Sequence, residues 1–425
     1  MNIRGWGGRG LAGVLVCLAL SAQVRAADVL EGIYAKFADS FATGAGMGEG
    51  GEFLILANPG IGLTPGQLKD LYDISALLDE IPKPSRLYFQ SGAHYSSIYG
   101  QILEKAQVTG YQVQADRDKA LDARRKLDDK TRPGQPTKEY AAYLRYQALY
   151  DAALDGRTIA QVENRATGKA IPPGLDQAVD DAMGQWNKLG FKADMETALA
   201  ETQKFFDSSP GVLFATLRDE FGNAPLKGNH DKPWLPVVAN PPLDEWLQDQ
   251  GWHPWSFQQA DLRQQVAPKT QVPLAAGGAP IASIDPGLMA SLSLTVEVKR
   301  VNISRPWLET KIFSAHTWRM GPTAAFSRVS TGNLADKDPG IMPMIVTGVL
   351  LARKLSLTAQ WSGDAKSGAT SLGPFALSGS VGDNPAPSGT SASGGLSLQA
   401  MGPQIIGFFC RVMPGSPTPD ARYFN

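Results

Sequence analysis

The chain has 425 residues, of which 43% are hydrophobic and 19% charged, so it can bury a substantial core and is not a disordered chain. Lysine and arginine total 40 and aspartate and glutamate 41, which argues against a nucleic-acid-binding protein, because such a protein carries a basic excess. Two cysteines and four histidines exclude a disulfide-stapled scaffold and leave little material for a metal centre. We therefore predict no metal and no cofactor.

The first 26 residues have the pattern of a secretory signal peptide. Arg4 and Arg9 supply the positive start, residues 11–22 form a short uncharged apolar stretch, and Val24 and Ala26 are the small residues that precede a cleavage site. The apolar stretch is too short to span a membrane, which takes about 20 residues. We predict cleavage after Ala26 and export to the periplasm or the medium.

Composition changes along the mature chain. Residues 101–200 carry 30 charges and are rich in helix formers, whereas residues 341–425 carry eight and are rich in Ser, Gly, Thr and Pro. An α+β protein with a helical first half and a β-rich second half is therefore expected. The predicted segments are a signal peptide over 1–26, a helical domain over 27–230, a Trp-rich junction over 231–284 and an antiparallel β domain over 285–425.

Periodicity predicts the elements of the helical half. In chain order they are a helix over 28–41, a short buried strand over 53–57, long helices over 96–130 and 138–165, and a helix over 174–206 that is interrupted near Gly190. Turn residues 131–137 separate the two long helices. Two long helices joined by so short a turn predict an antiparallel helical hairpin with coiled-coil-like spacing, which could project as an arm.

The second half changes to a period of two. Leu292, Leu294, Val296 and Val298 alternate with polar residues, which predicts a half-buried strand. Val301 and Ile303 have the opposite parity, and a β-bulge near Lys299 and Arg300 would explain that change. A second long strand is predicted over 344–361 and shorter ones over 375–377, 396–398 and 405–412. Five strands with one polar face predict an antiparallel sheet of the β-sandwich type.

The sequence motifs that carry known chemistry are absent or out of context. Residues 46–51 match the letters of a dinucleotide-binding glycine motif, but a helix precedes them and a strand follows, which is the reverse of the required order. The chain contains no HExxH, no GxSxG and no phosphate-binding loop. No catalytic residue is therefore predicted, although a pair of carboxylates brought together by the fold stays open.

Aromatic and basic residues around the junction are the candidate ligand or partner surface. They are Trp252, His253, Trp255, Arg305, Trp307, His316, Trp318 and Arg319. Clustered tryptophans can recognise flat ligands or fill a core, and the two arginines can bind an anion or stack on Trp307 and Trp318. Of these alternatives we favour packing and stacking, because large aromatics are mostly buried.

These features predict an exported, non-catalytic interaction or scaffold protein of the bacterial envelope or medium. Its expected partner is a protein or a second copy of the chain, and not a nucleic acid. The first alternative is a membrane-active protein of the pore-forming type, which would contact the bilayer without a transmembrane helix. The second alternative is a hydrolase that uses carboxylate chemistry.

Overall fold

A computed structural model describes most of the chain that follows residue 25. The described residues are 26–41, 50–64, 66–68, 71–109, 114–129, 131, 136–208, 210–227, 230, 232–264, 289–361, 371–376, 390–392, 395–400, 402–421 and 424. The predicted signal peptide lies outside them, apart from Ala26. The glycine motif does so too, except for its last two residues.

The described residues form both helices and strands, which confirms a mixed α+β chain. The α-helices are α1 (Ala26–Ser40), α2 (Leu71–Asp79), α3 (Tyr95–Lys105), α4 (Gln114–Leu127), α5 (Lys138–Thr167), α6 (Leu175–Leu189), α7 (Lys192–Ser208) and α8 (Pro210–Asn223). The strands are β1 (Glu52–Gly62), β2 (Glu80–Pro82), β3 (Gln90–His94), β4 (Ala106–Val108), β5 (Val238–Asn240), β6 (His253–Gln258), β7 (Met289–Ser304), β8 (Trp318–Met320), β9 (Met344–Trp361), β10 (Ser371–Leu372), β11 (Phe375–Ala376), β12 (Thr390–Ala392), β13 (Gly395–Ala400) and β14 (Gln404–Val412).

Eight strands form one antiparallel sheet around the long strand β9. β7 pairs with β9 along one edge, while β14 and β13 pair with the first and second halves of its other edge. β1 extends the sheet beyond β14, and β12 extends it beyond β13. On the far side of β7, β6 pairs with residues 293–298 and β5 with residues 302–304. The sheet therefore takes strands from the predicted helical domain, the predicted junction and the predicted β domain.

Both faces of the sheet are buried. On one face, called the α1 face, Phe37 and neighbouring apolar residues of α1 cover Leu294 and Val296 of β7. On the other, called the α2 face, α2 and the loop after β5 cover Val301 of β7 and Cys410 of β14. Helices and loops thus occupy the places that a second sheet would take in the predicted sandwich. Cys410 is fully buried, as its apolar surroundings in the sequence predict.

The predicted bulge lies in the neighbouring strand. β7 keeps an unbroken register with β9 from Glu297 to Asn302, so there is no bulge at Lys299 and Arg300. The register shifts where Thr295 pairs with Ser356 and Glu297 with Arg353, and Lys354 of β9 has a φ of 50° at that point. Val301 takes the opposite parity because the α2 face is buried too, so both parities of β7 can be apolar.

The helical hairpin differs from its prediction in two ways. The expected helix over 96–130 is divided, because residues 106–108 leave α3 and pair as β4 with β8. In addition, α4 packs mainly along α7 and α5 along α6, so these four helices form a bundle. Trp186 of α6 fills the bundle core against Tyr143 and Tyr150 of α5. The predicted interruption near Gly190 is confirmed, since it separates α6 from α7.

The bundle lies against the sheet. The amide of Asn240 on β5 donates to the carbonyl of Leu144 on α5, and Ile159 of α5 joins the α1-face core. α5 therefore crosses the sheet edge over several turns and is not a free arm. In the part of the chain that the structure describes, no helix combines the length and the apolar character needed to cross a bilayer.

Candidate functional site

Three of the predicted surface residues lie near β6. Trp255 is buried under α1, where its ring stacks on Phe37 at 3.9 Å between centroids and its Nε1 donates to Ser40 Oγ at 3.3 Å. Trp252 is half-buried, with the Arg353 guanidinium 4.4 Å from its ring. The ring of His253 packs on Gly156 of α5, so closely that a Cβ at Gly156 would lie 2.8 Å from His253 Cε1.

Three others are buried structural residues at the end of the sheet. Arg305 is 5% exposed and donates to the carbonyls of Val346 and Leu78, and its guanidinium lies 4.4 Å from the ring of Tyr95. Trp307 and Trp318 are buried, and each indole N–H donates to a backbone carbonyl, at 2.9 and 2.7 Å respectively. Arg305 therefore stacks on Tyr95 and not on Trp307.

The last two lie at the surface. His316 Nδ1 is 2.8 Å from the carbonyl oxygen of Thr418. Arg319 on β8 donates to Gln107 Oε1 at 2.9 Å and lies 5.0 Å from the ring of Phe424, so its aromatic neighbour is not Trp318. The eight residues are thus spread over separate parts of the fold and do not converge on one site.

A cleft between α5 and the edge of the sheet is the stronger candidate. On the outer edge of β7, the pairing with β6 ends at Val298 and the pairing with β5 begins at Asn302, so residues 299–301 have no partner there among the described strands. The loop over residues 241–251 leaves the sheet at this gap, and α5 covers it. The resulting cleft is open to solvent and is lined by α5, this loop and β7.

Residues at the two ends of α5 fix where this helix begins and ends over the cleft. Thr137 caps the start of α5, with its Oγ1 accepting from the backbone N–H of Tyr140 at 3.1 Å. Gly168 ends the helix in the left-handed conformation, at a φ of 70°. Asp151 and Asp155 lie one turn apart, so both face the cleft with their Cβ atoms about 5–6 Å from each other.

At the floor of the cleft, the side chains that β7 presents on the α1 face change from apolar to polar. Along β7 the parity of Leu294, Val296 and Val298 continues into Arg300 and Asn302, which therefore lie on the same face of the sheet. Arg300 also lies 4.2 Å above the ring of Phe409, where the apolar core ends. The break in an otherwise apolar parity is the sequence signal that identifies this site.

Hydrogen bonds join most of these polar groups. Arg300 Nη2 donates to both carboxylate oxygens of Glu52, at 3.0 and 3.1 Å, and its Nε donates to Asn302 Oδ1 at 3.1 Å. Asn302 Nδ2 donates to Asp151 Oδ2 at 3.1 Å, and the hydroxyl of Thr347 donates to Glu52 at 3.0 Å. The network leaves out Asp155, whose Oδ2 is buried without a hydrogen-bond partner among the described residues.

Charge is unevenly distributed over this network. Among the described residues, three carboxyl groups of this network, on Glu52, Asp151 and Asp155, face one guanidinium, that of Arg300, while Arg145 and Lys299 also line the cleft. Burial raises the pKa of Asp155 to about 7, the Asp151 and Glu52 carboxylates reinforce the rise, and Arg300 opposes it. Burial also raises the pKa of Asp151, against the effects of Arg300 and the Asn302 hydrogen bond. Asp155 is therefore the group in the cleft that changes charge near neutral pH.

The substitution Asp155→Asn is expected to flatten the pH dependence of stability. The pKa of Asp155 is about 7 in the folded protein and about 3.9 in the unfolded chain. The stability that the wild type gains from the proton on Asp155 is therefore fully present below pH ~4 and is lost as the pH rises through 7. At pH 8 the variant should be more stable by on the order of 2 kcal/mol, and at pH 4 it should have no such gain. Urea unfolding at both pH values measures this.

The matched control is Asp194→Asn on α7, which changes an exposed carboxylate of the same bundle. It should leave the difference between pH 4 and pH 8 as in the wild type. Equal pH dependence in the wild type and Asp155→Asn would contradict the assignment.

Comparison with protein families, with curated proteins and with solved structures finds no match. The function is therefore argued from the cleft itself.

Proposed function

We propose that the protein is an exported, non-catalytic binding protein whose α5 cleft holds the cationic group of a ligand, such as an alkylammonium or a guanidinium. The observation that carries the proposal is the Asp155 carboxylate, which has one buried oxygen with no hydrogen-bond partner in the described part of the chain and lies beside two further carboxylates. The predicted signal peptide supports export. A small ligand in the cleft and a protein partner that inserts a lysine or arginine side chain both fit this chemistry.

A cationic group completes the charge balance of the cleft. Arg300 donates to Glu52 and Asn302, and its one positive charge is set against the three carboxyl groups of Glu52, Asp151 and Asp155. A protonated amine supplies both the missing positive charge and hydrogen-bond donors for Asp155 Oδ2. Among the described residues, no group of three or more His, Cys, Asp or Glu side chains could hold a metal ion, which favours an organic cation.

Calorimetric titration at pH 8 with a matched series of probes tests the proposal. We expect n-butylamine, butylguanidinium and lysine amide to bind, and n-butanol and butyrate not to bind. Asp155→Asn should weaken amine binding tenfold or more, in the range of a lost charge-assisted hydrogen bond of about 1.5–3 kcal/mol. Because binding requires the ionised carboxylate, affinity should rise between pH 6 and pH 8.

Asp194→Asn is again the control, and it should bind the amines as the wild type does. The proposal would be wrong if no cationic probe bound, or if Asp155→Asn bound them as well as the wild type. Binding of butyrate in preference to the amines would also contradict it, since that result would make Arg300 and Lys299 the recognition groups.

The same geometry supports a second candidate function, in which a pair of carboxyl groups catalyses hydrolysis. Asp155, with a pKa of about 7, could hold a proton for a leaving group while Asp151, held by Asn302, acts as the base. This candidate requires turnover as well as binding. Hydrolysis of an ester, glycoside or peptide substrate that is abolished by both Asp151→Asn and Asp155→Asn would favour it over the binding protein.

A further inference from the structure

The helical bundle meets the rest of the molecule at a second charged cluster of the same composition as the one in the cleft. In this cluster Arg124 of α4 and Asp128, the residue after that helix, face Glu220 of α8 and Glu309, the residue before the 3-10 turn Thr310–Ser314. Arg124 Nε donates to Asp128 Oδ2 at 3.2 Å, and its Nη2 donates to Glu220 Oε2. Here too, three carboxyl groups surround one guanidinium.

Charged and titratable groups from every adjoining element face this second cluster. Burial raises the pKa of Glu220 to about 7; Arg124 opposes the rise, and Asp128, Glu309 and Asp219 reinforce it. Burial also raises the pKa of Asp128, and lowers that of Lys311, the other nearby cation, whose Nζ donates to the Leu199 carbonyl on α7. The neighbouring phenols are those of Tyr99 and Tyr140.

The cleft cluster forms the corresponding contact of α5. Asp155 and Asp151 of α5 face Arg300 of β7 and Glu52 of β1, and the His253 ring of β6 packs beside them on Gly156. Other described contacts of the bundle with the sheet are hydrogen bonds such as that of Asn240 with Leu144, and apolar contacts such as those of Ile159. The strength of those contacts does not change with pH. Other charged groups that line the cleft are Arg145 of α5, which lies 3.8 Å from Glu245, and Lys299 of β7. The two clusters are the described parts of the junction in which burial raises the pKa of a carboxyl group to about 7, so we expect them to set its pH dependence.

We propose that protonation of these two clusters controls how firmly the helical bundle is attached to the rest of the molecule, through the sheet at the cleft cluster and through α8 and Glu309 at the second cluster. With one carboxyl protonated, the three acids and Arg300 of the cleft cluster have a net charge of −1, and the three acids of the second cluster balance Arg124 and Lys311. When that proton leaves, the charge becomes −2 in the cleft cluster and −1 in the second cluster, in a partly buried interface, and the bundle is expected to detach locally. Since α5 is one wall of the cleft, detachment in the absence of a cationic ligand opens the cleft.

Hydrogen exchange measured on the full chain tests this inference. From pH 6 to pH 9 the docking equilibrium should fall about tenfold through Asp155, because its proton is held only in the docked state. Glu220 adds a smaller factor, since its side chain is 41% exposed and solvent screens its charge. After correction for the pH dependence of intrinsic exchange, amides of α4 and α5 should lose protection at pH 9 while those of β7 and β9 keep theirs.

Variants separate the clusters from other pH effects. The double variant Asp155→Asn/Glu220→Gln should show α4 and α5 protection that is the same at pH 6 and pH 9, whereas Asp194→Asn should respond as the wild type does. Equal protection of α4 and α5 at both pH values in the wild type would overturn the inference. Simultaneous loss in α4, α5 and the sheet would also overturn it, as would a pH response that persists in the double variant. The wild-type measurement decides even if the double variant fails to fold.

Discussion

The substitution Arg305→Ala is expected to lower the free energy of unfolding by about 3–5 kcal/mol, because it removes a buried charged donor from two carbonyl oxygens. Arg305 donates to Val346 and Leu78 and packs on Tyr95, so the truncation leaves two unsatisfied acceptors and a cavity. Arg305→Lys should recover part of the loss, since an ammonium can reach one carbonyl but cannot reproduce the planar fork. Chemical denaturation at pH 7 measures both losses.

Arg319→Ala is the control for this prediction. Arg319 is exposed and bonds only the Gln107 side chain among its described hydrogen-bond partners, so its loss should stay within about 0.5 kcal/mol. If Arg305→Ala were as mild as Arg319→Ala, Arg305 would not be the structural residue that its burial implies.

Trp255→Ala should cost about 3–5 kcal/mol, because it deletes a large buried ring and the stacking that holds α1 on the sheet. The ring is 2% exposed and lies 3.9 Å from Phe37. Trp255→Phe keeps an aromatic ring under α1 and loses the hydrogen bond to Ser40, so its loss should be smaller. Thermal unfolding followed by far-ultraviolet circular dichroism compares the two variants.

Trp252→Ala provides the matched comparison in the same segment. Trp252 is half-buried and keeps Arg353 over its ring, so its truncation should cost less than that of Trp255. Equal losses of stability at the two positions would show that burial under α1 does not determine the cost of truncating the tryptophan.

The periodicity of hydrophobic residues is enough to predict most of the long helices and strands. Residues 344–361 form β9 as predicted, and α1 follows from the spacing of Leu30, Ile33 and Phe37. The prediction of a single helix over 96–130 is wrong because its interruption depends on pairing with β8, whose residues lie more than 200 positions away in the chain. The periodicity of a short segment does not show which distant strand will pair with it. Nor does it show that α5 packs along α6.

The cleft was missed for a related reason. Asp151, Asp155 and Glu52 are ordinary acidic residues in the sequence, and only the fold brings them to Arg300. The interruption of an apolar parity at Arg300 and Asn302 is visible in the sequence, but on its own it predicts a bulge. By contrast, the prediction of packing agrees with the burial of Trp255, Trp307 and Trp318, whereas Trp252 is only half-buried.

The pairing of β1 with β14 has a consequence for the order in which the molecule assembles. Residues 52–62 find their ladder partners in residues 404–412, so this side of the sheet cannot close until residue 412 has been synthesised. Contacts of such high sequence separation carry a large loop-closure cost and slow the search for the native topology. During synthesis, β1 therefore waits unpaired while the chain between it and β14 is made, and closure of this side of the sheet is a late event in folding.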